Sequence, residues 1–477
     1  MKKRFYDFHR KLAVVLAIPL LLWALSGILH PLMANWLKPT IARNFIPPKP
    51  LSVPTSALSP AEVFADLEAL HQLKVVSLQG RTAYLAITPD QALHYRWTNG
   101  EPIPQGPRHH AVELARNYLD DKNSPVEKVT IHEEFSSTYS VINRYLPAYR
   151  VRLDRSDGME VVVDLRTGKL ASYDNPSKRL MLRLFSWFHT WSFLGAAQSP
   201  FRIGVVALLV CGSLMVAISG MITALQIKKP ASKKTSKSKR FHRLLGLATS
   251  VIYLMFSLSG LAHLLLKLRS DDSPQWVSQQ QCKVTALSTI PTVSDLSVTG
   301  ASLAILDGEP YYRLLVKGKN SSLNHYIHAT SSEHRAEAEE EYVRQLALEF
   351  SNYREEDITA MEPIYQFRSD YGFIFKRLPV WRVSFAGQRY WQYTLDAADS
   401  HLSMRSDTPG LIEALTFINL HKWHFLDFAG RETRDWATVV ASSSLVILFL
   451  SGLSLAFIRL KKTRSRRNCP HSSMRSN

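Results

Sequence analysis

FHRKLAVVLAIPLLLWALSGILHPL at residues 8–32 and FHRLLGLATSVIYLMFSLSGLAHLL at residues 241–265 decide the fold of this chain. Each is an apolar run with a histidine near either end, and the two agree at ten of 25 positions, the histidines included. A helix needs ~20 apolar residues to cross a ~30 Å hydrocarbon layer. Four stretches free of Lys, Arg, Asp and Glu reach that length, 12–37, 203–227, 244–266 and 437–458, so the sequence predicts four transmembrane helices. The first lacks the small-x-small end of a cleaved secretory signal and is too long for one, so it reads as an uncleaved anchor.

Charge sets the expected orientation. The formal charge of +18 would suit a nucleic-acid binder if it were spread over a folded surface, but it is confined to three short segments. Residues 1–11 carry five Lys/Arg, 228–243 eight and 459–477 seven, against the single acid Asp7. All three fall on one side of a four-span topology, which is the positive-inside pattern and places both termini in the cytoplasm. Cys211, Cys282 and Cys469 lie in a span, a soluble segment and the tail, so no disulfide is expected.

The segments between the spans are related at an offset of 232 to 233 residues. YLPAYRVRL from Tyr145 aligns with RLPVWRVSF from Arg377, VVVDLRTGKL with QYTLDAADSHL through Asp164 and Asp396, and FSWFHTWSFL at 185 with FINLHKWHFL at 417. This is the signature of a tandem duplication. AVELARNYL and YVRQLALEF have helical spacing, AYRVRL, EVVVDL and WRVSF alternate as half-buried strands do, and RTGK reads as a hairpin turn. The soluble parts are therefore expected to be α+β with antiparallel sheet, entered through the linker IPPKPLSVPTSALSP.

Three histidine pairs recur at equivalent positions: His9 with His242, His30 with His263, and His189 with His421. On a straight helix a separation of 21 residues leaves two side chains ~60° apart around the axis and ~31 Å apart along it. His9 and His30 then share one face at opposite membrane surfaces, as do His242 and His263. Gly27 and Gly260, three positions before the outer histidines, and Ala13 and Gly246, four after the inner ones, would leave room for a flat ring. Neutral imidazole is the usual protein ligand of haem iron, and ligands inside a bundle come from facing helices. The six histidines are thus candidate haem-iron ligands at two depths. His9 with His242 is the simplest inner pairing, and four candidates compete outside. Arg202 and Arg434 are candidates to pair with haem propionates.

Other chemistry is sparse. His109 and His110 point apart on a helix, and His94 and His325 fall in strands. Trp97, Tyr139, Tyr149, Trp381 and Trp391 could form an aromatic surface for a ligand but read more readily as sheet core. His424 has no counterpart. No nucleotide-binding glycine loop, zinc-protease motif or nucleophile elbow is present, which argues against a cytoplasmic NAD(P)H site.

At HRLLGL, SGLAH, FHTWSFLG and VVVDLRTGKL the chain resembles the PepSY-associated transmembrane helix family. The resemblance implies an inner-membrane protein linked to iron uptake, with periplasmic PepSY-type domains and two b-type haems, similar to reductases that convert a ferric siderophore to the ferrous form. It makes His9 and His242 the histidines of the opening His-Arg motif and His189 and His421 those ahead of the second helix of each pair, whereas His30 and His263 match a histidine found in some members only. The usual Trp after His-Arg is Lys11 in one copy and Leu244 in the other, and DAADSHL replaces the second Thr-Gly hairpin, which points to divergence of the two soluble domains.

The expected plan is an α-helical bundle of four transmembrane helices with two α+β PepSY-like periplasmic domains. Its divisions are 1–37 (N-terminus and first span), 38–177 (soluble), 178–200 (interfacial helix), 201–227 (span), 228–243 (basic loop), 244–268 (span), 269–409 (soluble), 410–434 (interfacial helix), 435–458 (span) and 459–477 (tail). The expected function is a di-haem b reductase passing electrons across the membrane to a periplasmic ferric siderophore, with membrane lipid and quinol as further partners and no nucleic acid. The alternative is a non-enzymatic accessory or binding protein for iron or siderophore uptake.

Overall fold

The computed structural model describes residues 2–136, 138–226, 236–266, 277–293, 296–317, 322–368, 370–387 and 390–467. The basic residues at 228–235 and the tail from 468, with Cys469, lie outside the described residues. The chain forms two compact units, a helical one from 1–39, 177–270 and 409–477 and a sheet-rich one from 40–176 and 271–408.

Four helices of the first unit are long and apolar enough to cross a membrane, with spans Ala17–Trp36, Pro200–Gln226, Lys237–Leu266 and Arg431–Thr463. The first differs from the straight rod of the sequence reading. Its helices Lys2–Val15 and Ala17–Pro31 are separated at Leu16, which has non-helical φ −91° and ψ 4°. Pro19 explains the break, because it has no N–H for the carbonyl of Val15 and its ring crowds that carbonyl. The relation between His9 and His30, worked out for one straight helix, is therefore interrupted between them. It applies to His242 and His263, which share the continuous third helix Lys237–Leu266.

The spans form a ring. Helix Lys2–Val15 packs on the second span and Ala17–Pro31 on the fourth, while the third touches the second and fourth. Leu16, Leu20, Ala24, Val216, Tyr253 and Leu445 fill its centre. In lipid such contacts gain from close approach rather than from escape from water. Gly27 and Gly212 permit that approach: a Cβ on them would sit 2.8 Å from Ser442 Oγ and from Leu16 Cδ1 respectively. Outward, Leu208, Val251, Val440 and Phe457 are exposed, as a lipid-facing surface requires.

Two amphipathic segments precede the second and fourth spans. The first is the helix Pro176–Thr190 followed by a 3₁₀ turn, Ser192–Leu194. The second is a helix, Thr408–Thr416, a π-helical turn, Phe417–His421, and a 3₁₀ helix, His424–Ala429.

The sheet-rich unit contains β1 (Ala69–Leu70), β2 (Gln72–Leu78), β3 (Arg81–Ile87), β4 (Leu93–Trp97), β5 (Val126–His132), β6 (Ala148–Leu153), β7 (Glu160–Val163), β8 (Leu170–Asp174), β9 (Cys282–Lys283), β10 (Val298–Leu306), β11 (Glu309–Lys317), β12 (Ser322–His328), β13 (His334–Arg335), β14 (Ile358–Ile364), β15 (Val380–Phe385), β16 (Tyr390–Asp396) and β17 (His401–Asp407). All described pairings are antiparallel. Strands β5 to β8 and β14 to β17 form two four-stranded meanders. Each packs on one helix through alternate apolar residues: Ala111, Ala115 and Tyr118 of Gly106–Leu119 meet Val151, Val161 and Val163, and Val343, Leu346 and Ala347 of Ala338–Glu349 meet Val383, Tyr393 and Leu395.

The two soluble segments share a third sheet, of order β13-β12-β11-β10-β2-β3-β4, joined where Ala301 faces Val75 and Ser302 faces Lys74. They thus make one compact unit, where the sequence suggested two separate domains. The stretch expected to be a linker also contributes to it. Leu51 and Val53 pack on the core, Leu51 N–H donates to the Val298 carbonyl at 2.8 Å, and Ser59 and Glu62 form a capping box on the helix Pro60–Val63.

DAADSHL also proves structured. Buried Arg377 donates to Asp396 at 3.0 Å and to Asp399 at 2.8 Å, and Lys74 pairs with Asp399 from the other segment. Burial alone would push the Asp399 carboxyl up, but Lys74 and Arg377 outweigh it and hold the group well below the usual carboxylate range.

Candidate functional site

Each span carries a Ser–Gly step: Ser26–Gly27, Ser219–Gly220, Ser259–Gly260 and Ser451–Gly452. Four of the six candidate histidines lie against one step each. At one end of the bundle, His9 Nδ1 is 3.0 Å from the Val216 carbonyl and 3.5 Å from Ser219 Oγ, and His242 Nδ1 is 2.8 Å from Ser451 Oγ with a further bond to the Leu448 carbonyl. At the other end, His189 Nδ1 is 3.0 Å from Ser26 Oγ, and His421 Nδ1 is 3.1 Å from Ser259 Oγ with a further bond to the Phe256 carbonyl.

Serines and backbone carbonyls together set the chemistry of these rings. Ser26, Ser219, Ser259 and Ser451 donate their hydroxyl hydrogens to carbonyls of their own helices, at 2.9, 2.6, 2.6 and 2.7 Å. His9, His242 and His421 also set Nδ1 against a backbone carbonyl, which can only accept, so in these three rings Nδ1 is the donor, while His189 Nδ1 shares its hydrogen bond with Ser26 Oγ. In those three Nε2 consequently carries the ring's lone pair, the state in which imidazole ligates a metal. An Nδ1–H held by an oxygen is the usual support of a ligating histidine.

The glycines act beside the serines. A Cβ on Gly220 would lie 2.8 Å from His9 Cε1, one on Gly452 3.1 Å from His242 Cε1 and one on Gly260 3.7 Å from His421 Cε1. The small residues expected to make room for the inner rings are not the ones that do so, since Gly246 faces Leu448 instead. The room comes from the neighbouring span, a relation invisible along one helix.

The outer four histidines form one line of rings. His30, exposed on the bundle surface, lies 5.5 Å from Phe185, Phe185 stacks 4.7 Å from His189, and His189 meets His421 at 5.9 Å and 77°. Beyond it, His421 stacks 4.8 Å from Phe417 and Phe417 4.3 Å from His263. Two imidazoles on opposite sides of one metal, with metal–nitrogen bonds of ~2 Å and ring radii of ~1 Å, have centroids ~6 Å apart. His189 and His421 have that spacing. His30 and His263 each sit one phenyl ring further out, so the structure does not bring them to the same point, and His263 Nδ1 is hydrogen-bonded to Glu413. Among the described residues no three His, Cys, Asp or Glu side chains converge on a common point.

Arg202 and Arg434 are engaged differently from the sequence expectation. Buried Arg202 donates to the carbonyls of Thr190 at 2.8 Å and Gly195 at 3.0 Å, tying the turn after His189 to the second span. Arg434 binds Asp427 at 2.7 Å, Asp435 at 3.2 Å and His424 at 3.1 Å, which also gives unmatched His424 a place. Asp435 in turn accepts from Asn35 Nδ2 at 2.5 Å. Two donors the sequence reading missed are better placed for an incoming acceptor. Trp191 and Trp423, each two residues after its histidine, have φ of 55° and 57° and buried indole N–H groups that meet no hydrogen-bond partner among the described residues. A buried donor left unpaired costs about 1–3 kcal/mol, which a bound acceptor would offset.

Of the remaining histidines, His110 is buried with Nδ1 2.9 Å from the Tyr95 hydroxyl, and His325 Nδ1 lies 3.2 Å from His334 Nε2. Tyr139 is core, stacked on His132.

No curated protein matches the chain significantly. Residues 90–459, most of its length and three of its four spans, match the PepSY-associated TM region. By that match over most of its length, with four apolar helices and an α+β sheet-rich unit, this chain belongs to the PepSY-associated transmembrane family.

Proposed function

We propose that the protein is a di-haem b reductase of the bacterial inner membrane, delivering electrons to a periplasmic ferric siderophore for iron uptake. In this reading the chain is a tandem duplication, both termini are cytoplasmic, which the basic segments support, and the sheet-rich unit is periplasmic. The observation that carries it is the seating of four imidazoles: Nδ1 of His9, His242, His189 and His421 is hydrogen-bonded at a Ser–Gly step, the kind of support a ligating histidine uses. His189 with His421 would hold an outer haem, and His9 with His242 an inner one. Bound haem would supply one-electron Fe(III)/Fe(II) exchange. The chain's own part is to fix the tautomer, keep the rings from turning and shield both levels from water with the apolar bundle core. The indole N–H groups of Trp191 and Trp423 are the donors we assign to haem propionates, in place of Arg202 and Arg434.

The test is an optical spectrum of the full-length protein, expressed with sufficient haem, before and after dithionite. A Soret band, an α-band that rises on reduction and reoxidation by a ferric siderophore are expected. A protein without a Soret band refutes the proposal, and retained siderophore binding by such a protein would make it an accessory binder instead.

A further inference from the structure

The two outer flanks of the bundle are not chemically alike. His30 and Phe185 on the first correspond to His263 and Phe417 on the second, but Met181 and Thr190 are replaced there by Glu413 and Lys422. The Glu413 carboxylate is paired with His263 Nδ1, and Lys422 Nζ lies 5.2 Å from the centre of the Phe417 ring. His263 and Glu413 remain 34% and 21% exposed, and Leu265, Leu411, Ile412 and Leu415, close to them in sequence, are exposed and apolar.

An ionisable pair on a lipid-facing surface is costly unless a partner or ligand uses it. Its form indicates which ligand. The carboxylate holds Nδ1–H, so His263 Nε2 is an acceptor for a hydroxyl, the ammonium of Lys422 is a donor for a carbonyl, and the Phe417 ring lies beside both. The exposed apolar residues suit a molecule dissolved in the bilayer, and Glu413 disfavours an anionic phospholipid headgroup. We propose that His263, Glu413 and Lys422 form a binding site for a quinone or quinol headgroup, on the second flank only. The identity of the ligand as electron donor rests on the reductase reading, whereas the geometry of the site does not. Phe417 stacks on both His263 and His421, so a headgroup bound here would lie one phenyl ring from the His189–His421 contact.

The experiment is a titration of full-length protein, in nanodiscs of phosphatidylcholine free of quinone, with decylubiquinone, following quenching of tryptophan fluorescence. Saturable quenching is expected. Glu413→Met, which gives the second flank the residue of the first, should weaken it about ten- to a hundred-fold, the loss of one charge-assisted hydrogen bond. Met181→Glu should leave it unchanged, and circular dichroism melting reports whether each variant folds. Glu413→Gln, which keeps a hydrogen-bonding side chain, should fall between. The site is refuted if the wild-type protein does not saturate, or if folded Glu413→Met titrates like it. A spectrum silent to dithionite would remove the haem reading alone, because this titration requires no haem.

Discussion

Replacing Gly220 with alanine perturbs one atom at the inner histidine and separates the structural argument from helix propensity. The added Cβ would lie 2.8 Å from Cε1 and 3.1 Å from Nδ1 of His9, below the closest ordinary contact. The ring cannot simply swing away, because its Nδ1 is bound to the Val216 carbonyl at 3.0 Å. Relieving the overlap means losing that bond or parting the first and second spans. Overpacking of this kind costs about 1–3 kcal/mol, against a propensity gain of about 1 kcal/mol from removing a helical glycine. Gly204 provides the control: it lies in the same helix with no atom within 4 Å of its added Cβ, so Gly204→Ala should be neutral or slightly stabilising. In the haem-loaded protein, loss of the supporting hydrogen bond should lower inner-haem affinity about 10–100-fold. Pyridine haemochrome content per protein should then fall toward half in Gly220→Ala and stay at the wild-type value in Gly204→Ala. The milder 3.1 Å approach at Gly452 to His242 should give Gly452→Ala an intermediate effect. If Gly220→Ala matches Gly204→Ala in haem content, spectrum and melting temperature, the seating of His9 on this step is wrong.

Three further outcomes follow from other parts of the molecule. Arg377→Met leaves Asp396 and Asp399 buried without their shared cation, and should cost about 3–5 kcal/mol, read as a lower melting temperature of the full-length protein. Burial lowers the pKa of His110 to about 4, below its unfolded value, so the unfolded chain takes up the proton first; stability should fall by up to about 3 kcal/mol between pH 6.5 and pH 4, and His110→Phe should flatten that slope in melts across the range. Trp423→Phe removes a buried donor without a partner among the described residues, so it should stabilise the haem-free protein by about 1 kcal/mol or more yet weaken haem retention; the same sign in both measurements would contradict the propionate assignment.

Much of the bundle could be read from the sequence because a span announces itself locally, through length and the absence of charge. The histidines were found because they repeat at a fixed offset. Their supports were harder to see: Ser219–Gly220 and Ser451–Gly452 are ordinary small residues until His9 and His242 arrive from other spans. The same holds for Glu413, whose value depends on its distance from His263, 150 residues earlier in the chain. Pro19 was in plain view, yet treating the first span as one rod hid its consequence for His9 and His30. In the sheet-rich unit, alternation located β6 and β15, whereas β7, expected to be half-buried, is buried at all four positions, and neither pattern says which strand edges meet, so the contact of β2 with β10 was not legible. Asp396 and Asp399 looked like a degraded turn because Arg377 and Lys74, which they bind, lie elsewhere in sequence.

The meeting of β2 and β10 also bears on how such a chain could have arisen. Each strand alone would present a bare row of N–H and C=O groups, a surface that recruits another strand. If the chain is the tandem duplication proposed above, two copies of one strand meeting head to tail about a twofold axis would satisfy one another, and a single half would close as a homodimer. Fusion of two such halves would free each flank to mutate independently, and a carboxylate could then be installed beside one histidine while methionine persisted beside its twin.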